Sequence, residues 1–137
     1  MIELSIILIF VAAVILFEVL TKKRLTEIET TELDEFGILL SQVRPPLKNA
    51  PLLRQIAQAR IKEFKEDNDG HQPFKSKWMY FLASMGFMFP KECLARTAND
   101  PLKAWMRSEP HRRVILGRAK YYGFATDGVY SCLIVAR

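Results

Sequence analysis

The chain has 137 residues, half of them hydrophobic and about a quarter charged, which leaves too little for two ordinary domains and too much apolar character for a disordered tail. A net charge of +5 favours solubility and a mild attraction to anionic surfaces, and does not mark a dedicated nucleic-acid binder. The only cysteines, Cys93 and Cys132, exclude a disulfide framework and lack the close spacing of a zinc knuckle.

From Leu4 to Phe17 only Ser5 is polar. Extended over residues 2–20 the run takes in Glu3 and Glu18, and as a helix it would measure on the order of 28 Å, close to the hydrocarbon thickness of a bilayer. It lacks the positive start and small-residue exit of a cleavable signal peptide. Residues 1–20 are therefore predicted to be a single transmembrane helix, an uncleaved anchor that makes the bilayer a partner. Lys22, Lys23 and Arg24 follow the run and no basic residue precedes it, which by the positive-inside rule places the remainder in the cytoplasm. Residues 21–31 read as a juxtamembrane tether and 32–137 as the folded domain.

Leu33, Phe36, Leu39 and Leu40 follow helical spacing until Pro45 and Pro46 halt it. The strongest helix comes next: Asn49 can cap it, Pro51 stands near its first turn, and Leu52, Leu53, Ile56, Ala57, Ile61 and Phe64 keep the period as far as the Asp-Asn-Asp-Gly run at 67–70. His71 opens a loop. Ser76 to Gly86 reads as a short helix with Ser76 as cap and Gly86 as stop, and Glu92 to Arg96 is compatible with a strand. Asn99 or Asp100 caps another short helix that carries Pro101 in its first turn. Asp127-Gly128, between Tyr121–Thr126 and Val129–Arg137, is a strong hairpin signal for a two-residue type I′ turn. Helices followed by strands make an α+β domain.

The segments RPPLKNAPLLRQIAQARIKEF, His71, KECLA, WMRSEPHRRVIL and YYGFATDGVY, taken together, resemble the CAP superfamily (cysteine-rich secretory, antigen 5 and pathogenesis-related proteins) in its compact bacterial form. The resemblance covers 32–137. It implies a three-layer α-β-α sandwich around a small antiparallel sheet, and a cleft faced by two histidines and two acidic residues that in some members holds a divalent metal. His71 corresponds to the first histidine, Glu92 to the strand glutamate and His111 to the second histidine. Cys93 stands where the family usually has Asn, and Ser108 where many members have the second Glu, for which Glu109 is the neighbouring substitute. Some members bind sterols or other lipids, and members are usually exported, which opposes the reading of the basic flank.

Two imidazoles and a carboxylate are the ligand types of an open zinc site, whose bound water can reach a pKa near 7. His71, Glu92 and His111 are thus candidate ligands for Zn²⁺ or another divalent cation, although their spacing lacks the His-Glu-x-x-His pattern. The plainer alternative is loop histidines in ordinary hydrogen bonds. Ser108, three residues before His111, invites a nucleophile–base reading, against which it is more simply a turn or helix-end residue. Cys93 and Cys132 form a disulfide in an exported domain, or otherwise serve as small buried apolar side chains.

Arg96, Lys103, Arg107, Arg112, Arg113, Arg118 and Lys120 are opposed in their segment only by Asp100 and Glu109. The preferred reading is a solvated face; the sharper one is a surface for anionic lipid headgroups or an acidic envelope polymer. Tyr121, Tyr122 and Phe124 fit a strand's core side better than a base-stacking platform, so nucleic acid is not an expected partner. Trp78, Tyr80, Phe81, Phe87 and Phe89 are expected mostly in the core. The combined expectation is a membrane-anchored CAP-like binding module with a His/Glu cleft. Its alternatives are a metal-assisted hydrolase using the same cleft and a cytoplasmic membrane-tethered adaptor.

Overall fold

The computed structural model describes the backbone of residues 2–26, 28–66, 76–96 and 99–137, and the side chains of all of these except 2, 20–26, 76 and 77. The apolar leader is a helix, α1 (Ile2–Thr26). Among the described residues no helix is long and apolar enough to cross a membrane, which corrects the expected transmembrane span. The described side chains of α1 run from Glu3 to Val19, on the order of 25 Å of helix against a hydrocarbon core of about 30 Å. Carboxylates stand at its beginning, Glu3, and near its end, Glu18.

Asp34 caps α2 (Glu35–Ser41), its carboxylate accepting the Gly37 N–H at 2.7 Å. This bond satisfies one of the donors that a helix start leaves open. After Pro45 and Pro46 comes β1, only Lys48–Asn49. Then follows α3 (Pro51–Glu66), which buries Leu53, Ile56, Ala57 and Ile61 at the predicted period together with one residue out of character, Arg60. Next are α4 (Ser76–Ser84), β2 (Lys91–Arg96), α5 (Pro101–Arg107), α6 (Glu109–Leu116), β3 (Tyr121–Thr126) and β4 (Tyr130–Ala136). Asp100 caps α5 by accepting the Lys103 N–H at 3.1 Å.

The sheet order is β1-β3-β4-β2. β2 and β3 pair antiparallel with β4, whereas β1 runs parallel to β3 with Lys48 opposite Tyr121. The sheet is therefore mixed, which corrects the expected antiparallel sheet: a two-residue strand between prolines carries no periodicity to read, and its direction is set by the crossover through α3. Helices cover both faces. One holds Leu53, Ile56, Ala57 and Ile61 against Leu94, Cys132 and Ile134; the other holds Phe36, Leu40, Trp105 and Ile115 against Cys93, Tyr122 and Leu133.

Gly123 lets α3 approach β3, since a Cβ there would meet the backbone of Leu53 and Arg54. At the hairpin tip the left-handed residue is Gly128, with φ of +93°, while Asp127 uses its carboxylate to accept the N–H groups of Val129 and Tyr130. A type I′ turn needs two consecutive positive φ values, so that expectation is also corrected. The aromatic run after 76 is less buried than expected. Phe87 is in the core, but Tyr80 and Phe81 are exposed, because α4 points Leu82 inward and these rings outward, and Phe89, in the turn before β2, is exposed as well.

Candidate functional site

Glu92 and Cys93 are consecutive in β2, and strand alternation sends them to opposite faces. Glu92 reaches α3. Arg60, 1 % exposed, donates Nε to Glu92 Oε2 at 2.8 Å and Nη2 to Oε1 at 2.6 Å, so both carboxylate oxygens are engaged by one guanidinium. Arg60 also donates Nη1 to Glu63 Oε2 at 2.8 Å, and Glu63 accepts the Trp78 indole N–H at 3.1 Å. Burial by itself lowers the pKa of Arg60, but hydrogen bonds and charges from Glu92 and Glu63 outweigh it and raise the value. The guanidinium is held as a cation in a planar, bidentate fork.

Cys93 faces the other way, its thiol 3.8 Å from the His111 carbonyl. Burial, then the charge of Glu92, pushes this thiol up to about 12, so it is neither a nucleophile nor a ready thiolate ligand at neutral pH. Cys93 pairs with Leu133 and Cys132 with Leu94. The two sulfurs therefore lie on opposite faces and both cysteines are free, which decides against a bridge.

His111 lies in the first turn of α6, a helix without a counterpart in the sequence reading although Ser108, Pro110 and the Val114–Ile115 pair mark it. Its Nδ1 is 2.9 Å from Ser108 Oγ. Ser108 ends α5 and caps α6, yet its hydroxyl makes no cap bond to the helix N–H groups. The contact replaces the usual capping box, with an imidazole at the third helical position meeting the cap side chain. It meets the first requirement of a nucleophile–base pair and fastens the α5–α6 junction. Glu109 lies one turn away from Arg113 and binds it at 2.6 Å. His71 lies outside the described residues. Thus Ser108, His111 and Cys93 gather at one junction, while the Glu92 carboxylate is held on the α3 side.

Whether this donor set fits a divalent cation is decided by Arg60. A dication on Glu92 would have to displace or neighbour a guanidinium that occupies both oxygens, and like charges at that separation repel strongly in a buried setting. Glu92 does not fit as a metal ligand. Among the described residues no group of three or more His, Cys, Asp or Glu side chains could hold a metal ion.

A cleft of about 490 Å³ opens elsewhere, between α2, α3 and the free end of the β3–β4 hairpin, with Asp34, Glu35, Arg54, Gln58 and Asn99 around it and Phe124 at its wall. Phe124 is stacked on Phe36 with ring centroids 3.9 Å apart. Asp34 is oriented by the Tyr122 hydroxyl, which donates to it at 2.7 Å; burial, then this bond to Asp34, raises the pKa of Tyr122. Arg54 and Gln58 fall within the RPPLKNAPLLRQIAQARIKEF segment, but the resemblance assigns no role to them, to Asp34 or to Asn99. The only sequence signal is the placement of Arg54 and Gln58 one turn apart on the outward side of α3.

No family model matches the chain, and no curated protein matches its sequence. Solved structures do. An outer surface protein from Borrelia burgdorferi superposes with a TM-score of 0.60 at 18 % identity, over 80 % of this chain and 98 % of that one. An extracellular protein containing an SCP domain from Bacillus anthracis gives a TM-score of 0.58 at 21 % identity, over 74 % of this chain and 37 % of that one. A cysteine-rich secretory protein from Staphylococcus aureus gives 0.57 at 21 %, over 73 % and 38 %. The chain thus has the fold of SCP/CAP domains, and spans well under half the length of the latter two proteins.

Proposed function

We propose that this chain is an exported CAP-like binding module which takes a polar, hydroxyl-bearing ligand in the cleft between α2, α3 and the hairpin, and that it does not work as a metal-assisted hydrolase. The observation that carries this reading is the bidentate hold of Arg60 on Glu92, which turns the expected metal ligand into a structural ion pair. The polar rim of Asp34, Arg54, Gln58 and Asn99 beside a phenyl wall favours a ligand that hydrogen-bonds on its edges and packs on a face, and disfavours a lipid tail, which wants a continuous apolar lining. Export is supported by the structural neighbours, which are an outer surface protein, an extracellular protein and a secretory protein.

The test is an NMR titration of the full chain with zinc and, separately, with an N-acetylglucosamine oligomer. Expected are oligomer shifts confined to the cleft and reduced by Arg54→Ala or Gln58→Ala, with no stoichiometric zinc binding that depends on Glu92. One equivalent of zinc lost in both Glu92→Gln and His111→Ala, with accompanying hydrolytic turnover, would replace this reading by the hydrolase.

A further inference from the structure

At the opposite end of the β3–β4 pair, about 20 Å of strand away from the hairpin tip, two hollows adjoin at the end of α6. Arg44, Arg118, Lys120 and Arg137 line the larger, of about 550 Å³. Arg112 and Arg113 line the smaller, of about 280 Å³, and Leu116 and Gly117 are common to both. No acidic side chain lines either among the described residues. Of the basic residues that cluster between 96 and 120, only four come here. The structure adds Arg44 from the end of α2 and Arg137 from the end of β4, and leaves Arg96 over the Tyr130 ring at the other end of the strands.

Three of the six are already engaged, Arg113 by the Glu109 carboxylate at 2.6 Å. Arg44 Nη1 donates to the carbonyls of Ile115 at 3.0 Å and Gly117 at 2.7 Å, closing the end of α6, and burial lowers its pKa. Arg137 lies over the Phe89 ring at 4.8 Å, its backbone paired with Met88. Arg112, Arg118 and Lys120 are exposed. So many like charges within a few Debye lengths repel one another, and an anion laid among them relieves that repulsion. The charges are strung along two shallow hollows and do not converge on a point, which suits a chain of anions better than a single phosphate. A polynucleotide would want aromatic platforms for its bases, and the nearby rings are engaged: Tyr121 packs on Phe87 with centroids 5.3 Å apart, and Tyr122 is buried.

The geometry points to this groove as a binding site for a linear phosphate polymer, recognised through its charge spacing and not through any base. It is independent of the cleft proposed above. The test uses fluorescence anisotropy of the full chain with labelled linear inorganic polyphosphate. With about four phosphates contacted and a slope of roughly 0.7 per contact, affinity falls roughly fifty-fold between 50 and 200 mM salt. The double variant Arg118→Ala/Lys120→Ala weakens binding at least tenfold and flattens the salt slope, Arg112→Ala does so to a smaller extent, and Lys103→Ala on α5, outside the groove, leaves it unchanged. The inference is overturned by salt-independent binding, or by a loss in Lys103→Ala as large as in the double variant. It is equally overturned if single-stranded DNA or phosphatidylglycerol vesicles bind more tightly than polyphosphate.

Discussion

The two faces of the sheet bury polar groups by different means. On the α3 face a whole cation is taken inside, Arg60, held by Glu92 and Glu63. On the other face the buried donors are neutral and are met without a buried cation: the Trp105 indole N–H donates to the Leu94 carbonyl at 3.1 Å, and the Tyr122 hydroxyl donates to Asp34. A buried ion pair contributes little against an apolar replacement and costs much when one partner is lost, whereas a neutral hydrogen bond costs about 1 kcal/mol to remove. The α3 face should therefore be the brittle one and the α2/α5/α6 face the forgiving one.

The largest effect is expected at Gly123. An alanine there forces α3 off β3 because the obstacle is backbone, so Gly123→Ala should cost about 4 kcal/mol or more, or prevent folding, in urea denaturation. Next comes Glu92→Gln, which leaves the Arg60 cation half-paired at a cost of about 3 kcal/mol; Arg60→Leu/Glu92→Leu should recover most of that, because the charge and its partner vanish together. If the double variant is no more stable than the single one, the pair does more than satisfy itself and the comparison between the faces breaks.

On the forgiving face, Tyr122→Phe keeps the ring packed against Phe36 and removes the bond to Asp34, for an expected loss of about 1 kcal/mol at unchanged m-value. The smallest effect lies at the hairpin tip, beyond both faces. The Asp127 carboxyl is held down to about 2 by its bond to Lys65 and by the N–H groups of Tyr130 and Val129, against an ordinary value of 3.8. A folded-state value below the unfolded one stabilises above about pH 4, and that contribution is lost as pH falls through 2. Because both partners are substantially exposed, it amounts to no more than about 0.5 kcal/mol after solvent screening. Asp127→Asn should remove this part of the acid-limb slope, read by thermal melts between pH 2 and 5.

What could be read from residues alone was whatever depends on neighbours in the chain. The period of α3, the Asp100 cap with Pro101 behind it, and the hairpin at Asp127-Gly128 are written within one or two turns of sequence, as are the aromatic and aliphatic residues that became the core. The candidate site was legible only as a set of residue types. His111 and Glu92 could be picked out, but spacing could not tell that Arg60, thirty-two positions away along the chain, would claim the glutamate, nor that α6 would begin at Ser108 and tie the histidine to its cap. The leader reads differently for another reason: its apolar run is bounded by Glu3 and Glu18, and over the described residues it does not make a helix both long and apolar enough to cross a membrane.

Local preference thus determined α3 and its inward stripe, the Asp100 cap of α5 and the two strands of the hairpin, because these are set by contacts a few residues apart. Asn49, by contrast, expected to cap α3, lies in β1 with its amide donating to the Glu32 carbonyl. Tertiary structure alone decided the rest: the parallel edge strand, the opposite facing of Cys93 and Cys132, the capture of Glu92, and the gathering of Arg44 and Arg137 beside the end of α6. Each of these joins segments remote in sequence, and charges or sulfurs carry no mark along the chain of which partner the fold will bring to them.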